Sequence, residues 1–262
     1  MKITFFKYQG TGNDFIILDN YNQEAPRLST KQIKFLCDRH FGIGADGLMY
    51  LSKKQGYDFA MEYYNADGYV SSMCGNGGRC LVKFAYHRGI HRASYRFIAI
   101  DGEHEAEIET DGTVSLKMKD VDTVDLHASH AILNTGSPHF VKFADNVQEI
   151  DVLATARDIR YSEPFKKEGI NVNFVETIDE DSIYMRTYER GVEDETLSCG
   201  TGVTAAALLS AHNDNGFNTV NVKTRGGRLS VEFDKVGEKQ FKNIWLCGPA
   251  EFVFQGEIEL QA

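Results

Sequence analysis

The strongest constraint on the fold is an internal repeat, which runs through most of the chain at an offset of about 125 residues. The segment GTGNDF at Gly10–Phe15 matches NTGSPHF at Asn134–Phe140. The segment MEYYNADGYVSSMCGNG from Met61 matches MRTYERGVEDETLSCGTG from Met185, with one inserted residue. Two weaker matches keep the same order, GIGADGLM with EGINVNFV and IDGEHEAEIE with RGGRLSVEF. A single Gly-rich match is common by chance. Four matching segments that occur in the same order and at the same offset indicate a duplicated fold.

The repeat divides the 262 residues into two homologous halves, 1–122 and 123–249. Each half is long enough to bury a core of its own. The remaining tail, 250–262, contains the strand-like segment EFVFQGEIEL, which is expected to pack back onto the first half. The sequence therefore predicts two domains of the same kind.

Both halves combine short β-rich runs with few helices, which is typical of a mixed α/β or α+β class. Ser29 and Gln32 form a capping box for a helix with apolar positions at Ile33, Leu36, Cys37 and Phe41. Asp151 is expected to cap a second helix through Leu153 and Ala156. Strands are predicted at Ile3–Phe6, Phe15–Leu18, Phe59–Tyr64 and Phe97–Ile100, with a hairpin of Ala106–Glu109 and Val114–Met118 around Asp111-Gly112.

The clearest chemical feature is a Cys-Gly-x-Gly turn in each half, directly before a predicted helix: Cys74-Gly75-Asn76-Gly77 and Cys199-Gly200-Thr201-Gly202. After the second turn, TAAALLSA at Thr204–Ala211 is apolar almost all round, as in a helix enclosed by a sheet. The N–H groups and the macrodipole of a helix N-terminus favour negative charge, so a cysteine there can ionise easily. The glycines allow a ligand to approach those N–H groups closely. Each turn is therefore expected to place a reactive thiol beside an anion site.

The duplication brings two such turns into one molecule. If the halves face each other about a pseudo-twofold axis, the two sulfurs flank one cleft. One ionised and one protonated thiol can then remove a proton from one face of a carbon and deliver a proton to the other. The two helix N-termini would stabilise a carboxylate and the charge that develops on it. The arrangement predicts inversion of a carbon α to a carboxylate, with no metal and no organic cofactor.

The remaining composition indicates where such a protein works and what it does not bind. Cys37, Cys80 and Cys247 are assigned as buried small hydrophobic residues. An odd total of five cysteines, without a CxxC pair, argues against a disulfide framework or a zinc ribbon and predicts a reducing cytoplasm. A net charge of −10 argues against a nucleic-acid partner. No signal peptide is recognised, and no apolar run approaches the roughly 18 residues of a membrane span, so no membrane partner is expected.

The motifs GTGNDF, FGIGADG, NADGYVSSMCGNGGRC, TGSPH, NVNFVE and YERG followed by ETLSCGTG together resemble the diaminopimelate epimerases, within the cofactor-independent amino-acid racemase superfamily. The resemblance covers nearly the whole chain. It implies two homologous domains, each a curled mixed β-sheet around a central helix, with the active site between them. It also implies epimerisation of LL-diaminopimelate to the meso form, in lysine and peptidoglycan precursor biosynthesis, by a homodimer that needs no pyridoxal phosphate.

By this resemblance Cys74 and Cys199 match the catalytic pair of the family, a thiolate that takes the α-proton and a thiol that donates one. His139 and Glu189 match polar residues that tune the thiols. The positions that match substrate contacts of the family are Asn13, Asn65, Gly75, Asn76, Asn171, Glu189, Arg190, Gly200 and Thr201. Arg190 is expected to hold the distal carboxylate bidentately, and the asparagines to bind the ammonium and carboxylate groups.

The sequence departs from the usual pattern of the family at three places. Ser137 stands where many relatives have Asn, and Gly47 stands where some have Gln. The segment GVEDE between Arg190 and Cys199 is more acidic than the usual GAGE. These changes concern substrate selectivity and leave the thiol pair intact.

Three alternatives remain open at this stage. A sister racemase of another amino acid, such as histidine or hydroxyproline, would use the same chemistry, although proline-type enzymes are expected to carry CGHG where this chain has CGNG. A nucleotide-binding protein is suggested by GIGADG at 42–47, but that fingerprint requires a strand before it and a helix after it. A thiol redox protein would turn over through a disulfide or a sulfenic acid.

Overall fold

The computed structural model of the protein describes residues 1–260. Its backbone packs as two compact units, Met1–Leu116 with the chain from Pro249 onward, and Lys117–Gly248. Each unit is a mixed sheet with two helices of eight residues or more, so the predicted mixed α/β class is confirmed.

The first unit is built on a mixed sheet, in which two parallel pairs lie among antiparallel ones. Its elements are β1 (Lys2–Gly10), β2 (Asn13–Asn20), α1 (Thr30–Cys37), β3 (Gly47–Ser52), β4 (Phe59–Asn65), β5 (Val70–Ser71), α2 (Gly75–His87), β6 (Ser94–Ala99), β7 (Gly102–Ile108) and β8 (Val114–Lys117). The parallel pairs are β2 with β3, connected through α1, and β4 with β6, connected through α2. Helix α2 contacts β1, β2, β3 and β7, so the sheet curls around it.

The second unit has the same pattern of crossovers. Its elements are β9 (Val124–Leu126), β10 (Ala131–Asn134), β11 (Pro138–Phe143), a 3-10 turn (Val147–Glu149), α3 (Val152–Arg160), β12 (Asn171–Asp179), β13 (Ser182–Glu189), β14 (Asp194–Thr196), α4 (Gly200–Leu209), β15 (Gly216–Thr224), β16 (Gly227–Gly237) and β17 (Gln240–Gly248). The parallel pairs are β11 with β12 through α3, and β13 with β15 through α4. Helix α4 is the central helix of this unit and contacts β11, β12, β13, β15, β16 and β17.

The chain ends with strand β18 (Glu251–Glu259), which returns to the first unit and pairs antiparallel with β1 from Lys2 to Gln9. The predicted tail extends to 262, and its last two residues lie outside the described part of the chain. The return of β18 covers one edge of β1, whose other edge pairs with β2.

The short helices begin where the capping residues predict. The Ser29 side chain accepts from the N–H of Gln32, and the Gln32 side chain accepts from the N–H of Ser29, which confirms the capping box. The Asp151 side chain accepts from the N–H of Ala154 and caps α3. The hairpin of β7 and β8 is also confirmed, and Gly112 in its turn has a φ of +89° that favours glycine.

Two predictions about secondary structure are wrong in detail. Helix α1 ends at Cys37, and Phe41 is exposed rather than part of its apolar face, because the Asp38 carboxylate accepts from the N–H groups of His40 and Phe41 in a turn. Helix α4 ends at Leu209, so the predicted last two residues, 210 and 211, lie beyond it. The objection to a dinucleotide fingerprint is confirmed, because the GIGADG segment follows helix α1 and leads into strand β3, the opposite of the order that the fingerprint requires.

Candidate active site

Cys74 lies at the N-cap of α2 in the first unit, with an extended backbone and a partly exposed side chain. Its sulfur lies 3.5 Å from Oδ1 of Asn13, to which a thiol can donate. Asn76, the third residue of the turn, is buried and donates from Nδ2 to the same Oδ1 at 3.3 Å. The Oδ1 atom of Asn76 accepts from the Arg79 guanidinium at 2.8 Å. A chain of side-chain hydrogen bonds therefore runs from the buried face of α2 to the first thiol.

The orientation of Asn13 is fixed from the other side by a cluster of charges. Its Nδ2 donates to Oδ2 of Asp46 at 2.5 Å. Asp46 is in turn held by Arg39, which also binds Asp14 through both of its terminal nitrogens. Asp14 forms a second ion pair with the buried Lys7 at 2.6 Å. Burial opposes ionisation of Asp14, but hydrogen bonds from Arg39 and Lys7 hold its pKa below the ordinary value.

Cys199 occupies the same N-cap position on α4 in the second unit and is buried. Its sulfur lies 3.5 Å from the hydroxyl oxygen of Thr201. That oxygen is 2.9 Å from Nε2 of His139. The backbone oxygen of Thr201 accepts from the hydroxyl of Thr135 at 2.8 Å, which fixes the turn against the loop before β11. The second thiol therefore faces a hydroxyl group, whereas the first faces an amide oxygen.

His139 lies on β11 and is fully buried, so it is not a turn histidine. Burial and the positive charge of Arg190 lower its pKa from 6.5 to about 3, so the imidazole is neutral. Its Nδ1 lies 3.1 Å from Nδ2 of Asn173 on the neighbouring parallel strand β12. The Asn173 amide also donates to the carbonyl of Phe140 at 3.0 Å and accepts from the hydroxyl of Thr187 at 3.0 Å.

Asn171 and Arg190, both predicted as substrate contacts, are joined to each other in the second unit. Oδ1 of Asn171 accepts from the backbone N–H of Arg190 at 2.8 Å, and its Nδ2 donates to Ser137 at 2.9 Å. The Arg190 guanidinium donates to the same Ser137 hydroxyl at 3.2 Å and to the carbonyl of Glu168 at 3.0 Å. Glu189, the last residue of β13, accepts from Thr196 at 2.9 Å.

Asn65 and Gly47 lie opposite each other at the ends of β4 and β3. Asn65 is exposed there, at the start of the turn that leads to β5. A Cβ atom at Gly47 would lie 2.6 Å from the carbonyl oxygen of Tyr64, so this backbone has no room for a side chain at position 47. The pairing of β3 with β4 therefore requires glycine at position 47, where the chain departs from the family pattern.

The other cysteines are buried, as predicted. Cys37 lies in a core cluster of the first unit, and burial raises the pKa of its thiol to about 12. Burial also raises the pKa of Cys80. Within residues 1–260, no two of the five cysteines form a disulfide.

Several residues of the site were not singled out by the sequence analysis. Asn173 and Thr187 hold His139, and Asp46 with Arg39 holds Asn13. A signal for Asn173 was present, because an Asn between apolar residues of a buried strand needs hydrogen-bond partners. The charged residues near Asn13 carried no comparable signal.

The described residues also limit other kinds of site. Within 1–260, no three His, Cys, Asp or Glu side chains are grouped so that they could hold a metal ion. Over the same range no helix is both long enough and apolar enough to cross a membrane.

Solved structures place the fold in a class that includes racemases and isomerases. A phenazine biosynthesis protein of the PhzF family from Bacillus anthracis is similar with a TM-score of 0.70 at 18% identity, covering 99% of this chain and 100% of its own. A hydroxyproline epimerase from Agrobacterium vitis is similar with a TM-score of 0.68 at 12% identity, covering 98% and 92%. At such identities the likeness shows the fold alone, and it confirms the predicted fold class.

Sequence comparison defines the family within that class. The profile of the family described as diaminopimelate epimerase matches residues 5–124 and 131–253. A diaminopimelate epimerase of Flavobacterium psychrophilum is 51% identical over 97% of this chain and 99% of its own length, and one of Chlorobaculum tepidum is 41% identical over 96% and 99%. The chain belongs to the diaminopimelate epimerase family, which confirms the predicted resemblance and the prediction of an isomerase.

Proposed function

We propose that the protein interconverts LL- and meso-diaminopimelate, with Cys74 and Cys199 as the acid–base pair. The observation that carries the proposal is the placement of both thiols at the N-caps of the two central helices, in a chain of this family. Duplicated elements with the same reactive residue at the same position suit a reaction that needs two similar groups. The product would serve lysine and peptidoglycan precursor synthesis.

The chemistry requires one thiolate and one thiol. The thiolate takes the proton from the α-carbon, and the electron pair of the broken C–H bond is delocalised toward the substrate carboxylate. The other thiol then gives its proton to the opposite face of the same carbon. The two sulfurs have exchanged protonation states at the end, and the reverse reaction uses them in the opposite roles. The backbone N–H groups at Gly75 and Gly200, the first residues of α2 and α4, are suited to bind the carboxylate.

The substrate contacts follow the matched positions of the family. Asn13 and Asn171 offer amide groups for the ammonium and carboxylate groups, in addition to Asn65, Asn76, Thr201 and Glu189. Arg190 is the charged group proposed for the distal carboxylate. Its guanidinium already bridges Ser137 and the Glu168 carbonyl, so it is held in place before the substrate binds. His139 and Glu189 tune the thiols in this proposal.

A second candidate function is racemisation of another small amino acid, because the fold is similar to that of a hydroxyproline epimerase. The reduced protein is incubated in deuterated water with LL-diaminopimelate, and separately with proline, trans-4-hydroxyproline and histidine. We expect deuterium at the α-carbon of diaminopimelate only. Exchange at another amino acid would support the second candidate, and exchange at none would refute both.

The two-thiol mechanism has its own test. Cys74→Ala and Cys199→Ala should each abolish epimerisation, since neither proton transfer has a substitute. Cys37→Ala, which changes a cysteine buried in the core of the first unit, should retain it. Normal epimerisation by either of the first two variants would contradict the mechanism.

The same proposal includes the assembly and the compartment. The protein acts as a homodimer in a reducing cytoplasm, where both thiols stay available. Light scattering at several concentrations measures the assembly, and a monomer at working concentration would contradict it. Oxidation of the purified protein should abolish activity, and a thiol reductant should restore it.

A further inference from the structure

The two thiols have the same place on their helices but different hydrogen-bond partners. At Cys74 the sulfur lies within donating distance of Oδ1 of Asn13. The orientation of that amide is determined by its neighbours, because the Asp46 carboxylate can only accept and therefore faces Nδ2. Asn76 supports the same orientation, since its Nδ2 donates to Oδ1 of Asn13 while its own oxygen accepts from Arg79. This amide oxygen is a pure acceptor toward the first sulfur, so the contact stabilises S–H and disfavours a thiolate.

At Cys199 the side-chain hydrogen bonds orient a donor, rather than an acceptor, toward the sulfur. The carbonyl of Phe140 can only accept, so it faces Nδ2 of Asn173, and the same Nδ2 faces Nδ1 of His139. Nδ1 must then present its lone pair, and the proton of the neutral ring is on Nε2. Nε2–H donates to the hydroxyl oxygen of Thr201, which leaves the hydroxyl hydrogen to point at the sulfur of Cys199. The group in front of the second sulfur is therefore a donor, which stabilises a thiolate.

The charged groups near the two turns also differ. Behind Asn13 lies the Asp46 carboxylate, held by Arg39, and on α2 the Arg79 guanidinium donates to Asn76 and to the carbonyl of Gly75. Near the second turn the positive charge of Arg190 acts on His139, which contacts the Thr201 hydroxyl.

We propose that the resting enzyme holds Cys199 as the thiolate and Cys74 as the thiol, and that Asn173 is the positioning residue that sets this state through His139 and Thr201. The inference rests on the proposed function, in which one thiol must be ionised before substrate binds. The inference specifies which stereoisomer of the substrate reacts first. The resting enzyme reacts first with the stereoisomer that presents its α-hydrogen to Cys199, and the other isomer must wait for a proton exchange between the sulfurs and solvent.

The experiment measures the ultraviolet absorbance of thiolates in the full-length protein, without substrate. At neutral pH we expect Cys199→Ser to remove one equivalent of thiolate absorbance and Cys74→Ser to remove none. Equal losses, or a loss confined to Cys74→Ser, would overturn the proposal. Because this measurement needs no substrate, its outcome is independent of the deuterium exchange that tests the function itself.

The role of the hydrogen-bond chain is tested by two variants of one residue. Thr201→Val removes the hydroxyl and keeps the shape, so the titration of the Cys199-dependent absorbance should move upward by about one pH unit, the effect of one hydrogen bond to the thiolate. Thr201→Ser keeps a hydroxyl and should restore the wild-type titration. An unchanged titration in Thr201→Val would exclude the hydroxyl as the donor.

Asn173→Asp tests the positioning role. A carboxylate at this place accepts from Nδ1–H of His139, so the ring proton leaves Nε2 and Thr201 must donate to the ring instead of to the sulfur. We expect the Cys199 titration to move upward as in Thr201→Val, with circular dichroism unchanged. If the titration stays in place in a folded Asn173→Asp protein, Asn173 does not set the state of the thiol. If the variant does not fold, the Thr201 pair still decides whether the chain acts on Cys199.

Discussion

Gly202 and Gly77 are equivalent positions of the two cysteine turns, each the third residue of its central helix, but their surroundings differ. A Cβ atom on Gly202 would lie 2.5 Å from Oδ1 of Asn173 and 3.3 Å from Cε1 of His139. A Cβ atom on Gly77 would meet the sulfur of Met49 at 3.2 Å. The first neighbour is an amide held by hydrogen bonds, whereas the second is in a flexible side chain that can shift by a few tenths of an ångström.

The geometry gives a magnitude for Gly202→Ala. Asn173 must move away from the new methyl group, which strains its hydrogen bonds with Thr187, Phe140 and His139. Losing two or three such bonds costs about 2–3 kcal/mol, and the preference of Ala over Gly in a helix returns up to about 1 kcal/mol. We therefore expect a net destabilisation of about 2 kcal/mol. For Gly77→Ala the small displacement of Met49 and the helix preference roughly cancel.

Urea denaturation measures both variants. Circular dichroism follows the whole chain, and fluorescence of the single tryptophan, Trp245 on β17, reports on the second unit. With a typical slope of about 2 kcal/mol per molar urea, Gly202→Ala should lower the midpoint seen by Trp245 by about 1 M. Gly77→Ala should leave the circular dichroism midpoint within a few tenths of a molar of wild type. Equal midpoints for the two variants would refute the reasoning that Asn173 is rigidly held.

Two further predictions concern stability. Folding lowers the pKa of His139 from 6.5 to about 3, so between these two pH values the unfolded chain binds one more proton than the folded chain. Stability should therefore fall by about 1.4 kcal/mol for each pH unit from 6.5 down to about 3. His139→Gln should remove this component in urea titrations at several pH values, and an unchanged slope would contradict it. Asp14→Asn should lower the free energy of unfolding by about 3–5 kcal/mol, because it leaves the buried Lys7 charge without its carboxylate. Glu257→Gln, at the exposed pair with Lys2, is the control and should lower it by less than about 1 kcal/mol in thermal or urea unfolding. Similar losses in both variants would show that burial of the pair is unimportant.

The parts of the fold that the sequence predicted are those determined by residues close together in the chain. The capping box at Ser29 and the cap at Asp151 depend on contacts three residues apart, so local rules were sufficient. The placement of Cys74 and Cys199 at helix starts follows from the glycines that come directly after them. The prediction that Phe41 belongs to the apolar face of α1 was wrong, because the turn at Asp38 ends the helix although the apolar spacing continues to Phe41.

The parts that could not be predicted depend on pairing between distant segments. His139 is buried because β11 pairs in parallel with β12, which brings Asn173 beside its ring from 34 positions away in the chain. In the same way Asn13 is oriented by Asp46, 33 positions along the chain. No spacing rule relates such residues, so the sequence singled out the two cysteines and several residues that lie near them, but not the direction of the hydrogen bonds between them.

The repeat itself explains why the two half-sites differ where they do. Duplication preserved what the backbone requires, a cysteine at the N-cap and glycines that begin the helix, and left the third residue of the turn to vary. In the first unit this residue is Asn76, whose amide turns inward to Arg79 and Asn13. In the second unit it is Thr201, whose shorter side chain bridges His139 and the sulfur. Two identical turns would hold two equal thiols that compete for one proton. The proposed mechanism needs one acid and one base at the same moment. In that proposal Asn76 and Thr201, together with Asn173 and His139, give the resting site its polarity, while the backbone of both turns stays the same.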